Sequence, residues 1–156
     1  MDVELLDSSI VDKLRCPRSG AKVDVRPDSV VSPEAGVSYG YISGVPDLRV
    51  APDRLLLDLP WYEPWDEIDS IDISAPEPII SNELPYHLDG HLAAVPGLEG
   101  DGEWVLEVGC GERQCERWFK RQDFNYVGTD VDVRGIGPHL LADAHNLPFS
   151  SESFDF

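Results

Sequence analysis

Trp104-Val105-Leu106-Glu107-Val108 is a compact apolar run that stops at Gly109-Cys110-Gly111. It is followed by a helical pattern and then by a second apolar run that stops at an acid. This order constrains the fold more than any other feature of the chain. Trp104 to Val108 predicts a strand of the buried type. Arg113 to Arg121 predicts a helix with Cys115, Trp118 and Phe119 on one face. Tyr126-Val127-Gly128-Thr129 predicts a second strand closed by Asp130, and Leu140-Leu141-Ala142 a third short element closed by Asp143. Strand, glycine turn, helix, strand and acid is the grammar of a parallel sheet with helical crossovers, so the expected fold class is α/β.

In an open parallel sheet, ligands bind outside the carboxyl ends of the strands, where the special residues of this chain fall. Gly109 and Gly111 let the backbone approach a ligand closely. Asp130 follows the glycine turn by about 20 residues, the spacing at which a carboxylate accepts from ribose hydroxyls. Asp143 ends the third strand, where a carboxylate can accept from an exocyclic amine. Ribose at one strand end and adenine at the next describe an adenosine site. A dinucleotide fingerprint needs Gly-x-Gly-x-x-Gly, but the third glycine position is Gln114, which disfavours a nicotinamide cofactor. Glu107, two residues before the first glycine, can hold a cationic amine, which S-adenosylmethionine offers and a pyrophosphate lacks.

Val105 to Gly111, Tyr126 to Asp130, and Leu141-Ala142-Asp143-Ala144-His145-Asn146-Leu147-Pro148-Phe149 through Ser153-Phe154-Asp155 together resemble class I S-adenosylmethionine-dependent methyltransferases. The resemblance is to the small-molecule branch with Leu-Pro-Phe and Ser-Phe-Asp motifs, and it covers about residues 103 to 156. It implies a partial Rossmann-like parallel sheet. By resemblance, Glu107, Gly109 and Gly111 hold the methionine end, Asp130 holds the ribose, and Asp143 with the Ala144 backbone reads adenine. Cys110 and Val131 are also expected to bind the cofactor. The family commonly has a glycine where Arg113 stands, so that turn is expected to differ. The implied reaction is attack by an oxygen, nitrogen or carbon of a small-molecule acceptor on the sulfonium methyl. No residue is identified as a general base. The family's sheet has seven strands; the chain supplies three and a stub at Phe156, so activity of this chain alone is not expected.

Ahead of this region, Leu5, Leu6, Ile10, Val11 and Leu14 recur with helical spacing and predict a short helix stopping at Cys16-Pro17. Short strands are expected over Ala21 to Arg26, Val30-Val31 and Val37 to Ile42. Leu14-Arg15-Cys16-Pro17 and Tyr41 to Leu48 resemble the zinc-ribbon-like domains that precede or accompany methyltransferases. A structural zinc needs four ligands, but Cys16 has Ser19 where its partner should be and there is no second cysteine pair. The expectation is a ribbon without metal over residues 1–52. A proline-rich acidic linker follows over 53–81, with Trp61, Tyr62 and Trp65 packing on what comes next. The cofactor-binding half of the methyltransferase then occupies 82–156, opening with a helix marked by Leu84, Leu88, Leu92 and Val95. His87 and His91 share a helical spacing, but without a third ligand they read as polar-face residues.

Thirty acids against twelve bases leave a formal charge of −18. Such a surface repels phosphate backbones and anionic membranes, so neither nucleic acid nor a membrane is an expected partner. Adaptation to high salt and an ordinary solvated acidic surface both account for the charge. Three cysteines point to a reducing compartment, and the acidic N-terminus lacks the pattern of a signal peptide; a cytoplasmic protein is expected. Two other functions stay open: a non-catalytic cofactor-binding or interaction module, and a nicotinamide-dependent reductase. The oligomeric state is not legible.

Overall fold

A computed structural model describes residues 6–50 and 100–156. The expected linker over 53–81, the helix marked by Leu84 to Val95, and His87 with His91 lie outside the described residues. The described residues hold two α-helices and eight strands, and the strands form three small sheets.

The chain enters through α1 (Ser8–Lys13), capped by the Asp7 carboxylate, which accepts from the Ser9 amide at 2.8 Å. The helix ends before Leu14, which turns extended and pairs antiparallel with Phe149. β1 (Asp24–Val25), β2 (Val30–Ser32) and β3 (Val37–Tyr39) form an antiparallel meander. The strand expected over Val37 to Ile42 breaks at Gly40, whose carbonyl accepts from the Asp47 amide at 2.9 Å. Beyond the break, β4 (Tyr41–Ile42) pairs instead with β5 (Val45–Pro46).

β6 (Trp104–Val108), β7 (Asn125–Asp130) and β8 (Leu140–Leu141) form a three-stranded parallel sheet in that order. α2 (Glu116–Arg121) crosses between β6 and β7 and packs Phe119 on Phe124 and Tyr126. It starts three residues later than its sequence pattern, because Arg113 holds φ of 55°, outside helical geometry.

Both flanks of this sheet are met by distant chain. Beside β8, Asp47 pairs parallel with Leu141 and the Leu48 amide donates to the Leu141 carbonyl at 2.9 Å. Beside β6, the Phe156 amide donates to Trp104 O at 3.2 Å and the Leu106 amide to Phe156 O at 3.0 Å, the bond pattern of a parallel pair. The chain therefore steps outward from β6 through β8 and returns to the opposite side of β6.

The N-terminal segment and the parallel sheet share one core. Ile10, Leu14, Cys16, Val30, Tyr39 and Leu48 are buried together with Val127, Leu140 and Ala142. Lys13 adds a polar link: its Nζ lies 4.3 Å from the Trp104 ring centroid and donates to Ser153 O at 2.7 Å. No helix among the described residues is long and apolar enough to cross a membrane.

Because Leu48 is fully buried between the two parts, Leu48→Ala should cost about 2–5 kcal/mol. Native-state hydrogen exchange should show the amides of Val30 and Val127 losing protection together. Loss confined to one of them would mean that the two parts do not share stability.

Candidate functional site

The glycine turn is built by β7 as much as by β6. The amides of Gly109 and Cys110 both donate to Thr129 O, at 2.8 and 3.0 Å. These two hydrogen bonds to one carbonyl accompany a sharp bend of the chain off β6, with Gly109 at φ of 77° and Gly111 at 54°. A Cβ built on either glycine meets nothing within 4 Å, so open space lies over the turn. Cys110 is buried and its side chain packs on β7. A Cβ on Gly128 would lie 2.8 Å from Cys110 Sγ and 2.9 Å from the Tyr126 hydroxyl. Gly128 is thus the residue that lets the turn close onto the sheet.

Asp130 is brought directly to this turn. Its Oδ2 accepts from the Gly111 amide at 2.8 Å, and its Oδ1 from the amides of Val131 and Asp132 at 2.7 and 3.2 Å. A carboxylate has about four acceptor sites, so about one stays available. Glu107 faces inward: Tyr126 donates its hydroxyl to Oε2. Burial raises the thiols of Cys110 and Cys115 to about 12, and Glu107 reinforces both shifts. Both are protonated at neutral pH, which removes the thiolate that nucleophilic chemistry needs. Burial and Glu107 likewise push the Tyr126 hydroxyl up.

Asp143 ends the outer strand in a tight local turn. Its Oδ1 accepts from the His145 amide at 2.9 Å and lies 3.0 Å from His145 Nδ1. Ala144 is exposed beside it. The structure thus joins Gly109, Cys110, Gly111, Asp130 and Val131 in one bonded turn. Asp143 and Ala144 follow at the end of the next strand, and Glu107 lies on the buried side. Asp155 serves β6 instead, accepting from the Trp104 amide at 2.8 Å.

Arg113 keeps a left-handed backbone where glycine would be comfortable, and its side chain is held in return. Nε donates to Gly137 O at 2.8 Å, while Nη1 lies 3.1 Å from Glu116 Oε2 and 2.8 Å from His139 Nε2. Lys120 also pairs with Glu116, at 2.7 Å. His139 is tied to β7 as well, since the Gly128 amide donates to its Nδ1 at 3.0 Å. This cluster was missed in the sequence reading. Its Arg113, Glu116 and Lys120 have readable helical spacing; His139 carried no local signal. A cavity of about 880 Å³ lies beside this cluster, lined also by Trp104 and by Val45 of the β4–β5 hairpin. None of the eight candidate residues lines it. Among the described residues, no group of three or more His, Cys, Asp or Glu side chains could hold a metal.

Burial raises the Glu116 carboxyl, but hydrogen bonds from His139 and Lys120 and the charge of Arg113 more than reverse this and hold it at about 2. A depressed carboxyl contributes stability above its ordinary value and loses it as pH falls through the folded value. Denaturation midpoints should therefore fall between pH 4.5 and 2, and Glu116→Gln should flatten that segment; parallel curves would remove Glu116 from the acid response. Gly128→Ala should cost about 1–3 kcal/mol by denaturant melt, because the turn must shift to admit a methyl. A neutral result would mean that Cys110 moves freely.

No family model matches the chain, and no curated protein matches it.

Proposed function

We propose that this chain binds S-adenosylmethionine and forms the cofactor-binding part of a class I methyltransferase acting on a small molecule. The observation that carries this reading is the bond between the Gly111 amide and Asp130, which joins a glycine turn and a carboxylate at the ends of adjacent parallel strands. The return of the chain to the far side of β6 adds support. Ligands of open α/β sheets bind where the strand order reverses, so the reading takes the sheet as a partial Rossmann-like one.

The glycine turn, Asp130 and Asp143 support this cofactor, while Glu107 would have to exchange its bond with Tyr126 for the methionine amine. The space over Gly109 and Gly111 is open, so a ligand can approach the backbone of the turn. The remaining acceptor site on Asp130 suits one ribose hydroxyl. Asp143 and the Ala144 amide stand at the neighbouring strand end for adenine, and Val131 flanks the ribose. Glu107 is the acid assigned to the methionine amine, and Cys110 shapes the turn. Bound, the cofactor supplies a methyl group already activated by a sulfonium. The chain's own residues then bind, align and exclude water. Gln114 in place of the third glycine argues against a dinucleotide. The charge of −18 argues for an acceptor that is not a polyanion, in keeping with a cytoplasmic protein acting on neither nucleic acid nor membrane.

One observation favours a second reading, a non-catalytic module in which Asp130 serves only as a turn clamp: three of its acceptor sites are taken by backbone amides. Calorimetry with S-adenosylhomocysteine separates the two. Binding should be measurable, NAD should not compete, and Asp130→Ala should weaken affinity roughly ten- to hundredfold, the range for a hydrogen bond to a charged group. Absence of binding by the parent protein leaves the clamp reading. Unchanged affinity in the variant overturns the ribose assignment.

A further inference from the structure

Arg49 reaches from the N-terminal part of the chain to the loop that follows β7. Its Nη1 donates to Val131 O at 2.9 Å, across 82 residues of sequence. The guanidinium is itself held in one plane. Nε and Nη2 donate to the two carboxylate oxygens of Asp47 at 2.7 and 2.8 Å, a bidentate pair. The Arg49 amide donates to the same carboxylate at 3.2 Å. Both side chains are largely buried, at 12% and 15% exposure, so water competes weakly for the pair. Asp47 is fixed in turn by its pairing with Leu141 of β8.

The Val131 peptide units are thereby gripped from both sides. Its amide donates to Asp130 Oδ1 at 2.7 Å and its carbonyl accepts from Arg49. The first of these bonds sets the rotation of the Asp130 carboxylate, whose other oxygen meets Gly111. A carbonyl just past the end of a parallel strand has no ladder partner of its own, and the guanidinium supplies one.

We infer that Arg49 is a positioning residue for the cofactor site, holding the Val131 carbonyl so that the Asp130 carboxylate keeps the orientation needed for a ribose hydroxyl. This rests on the proposed function for its ligand, but not for the clamp itself. It gives the N-terminal part a role in binding: within residues 47–49 that part supplies both the outer segment of the sheet and the donor that sets the ligand loop. Lysine cannot substitute, because a single ammonium cannot bind Asp47 in a fork and reach Val131 at once.

The test has two readouts on the intact chain. Hydrogen exchange without ligand should show the Val131 to Val133 amides at least tenfold faster in Arg49→Gln, with Val30 and Val127 unchanged. Calorimetry should then compare S-adenosylhomocysteine with its 2′,3′-dideoxyribose analogue. The parent's preference for the intact ribose should shrink at least fivefold in the variant, whereas a merely structural role would weaken both ligands alike. If Arg49→Gln does not fold, Arg49→Lys keeps the charge and the apolar stem and is read the same way. Unchanged loop exchange, or a preference retained despite a loosened loop, overturns the inference. If the parent binds neither ligand, the proposed function fails and with it the role in ribose binding, while exchange alone still decides the clamp.

Discussion

A parallel sheet must pair its flanking backbone groups and cover its faces, because unpaired amides and carbonyls cost free energy once buried. With only β6, β7 and β8, this sheet has two flanks close to its centre. The described chain meets that demand from its own distant segments. Residues 47 and 48 run beside β8, Phe156 runs beside β6, and Leu14 pairs with Phe149 where the Leu-Pro-Phe segment crosses. The rest follows from these pairings. They bring Leu48 under Val127 and Leu140, place Lys13 against Trp104, and put Arg49 within reach of Val131.

The parts legible in the sequence were those with a local period. Trp104 to Val108 is the strand its apolar run announced, and Asp130 ends β7 beside the glycine turn, where the spacing put it. Cys115, Trp118 and Phe119 do share a packed face. Three things were not legible. Gly40 splits one expected strand between two sheets, because its carbonyl serves Asp47. The turn after Gly111 was expected to differ for want of a glycine, yet Arg113 itself takes the left-handed conformation. A local propensity scale cannot register a strain relieved by Gly137, Glu116 and His139. The Arg49 contact joins residues too far apart in sequence to share any period.

The acidic composition also has a local account that the net charge hides. Short aspartate side chains accept from nearby backbone amides and so fix turns. Asp7 caps α1, Asp47 holds the Arg49 amide, Asp130 and Asp132 order the loop after β7, and Asp143 folds the turn at His145. Asp155 secures the first amide of β6. Much of the aspartate in the described chain is therefore structural wiring at loop ends. The surface charge it adds accompanies that role.

The shared core sets the order in which a growing chain can finish folding. Leu48 leaves the ribosome long before Leu140 and Ala142, the residues it is buried against. At roughly 5–20 residues per second, the N-terminal segment waits on the order of 5–20 seconds for its partners. Through that interval Ile10, Leu14 and Leu48 lack the Val127, Leu140 and Ala142 side chains with which they are buried in the finished fold. Synonymous codons that slow translation between the two segments would lengthen the wait, and lower yield would follow without any change in the finished protein.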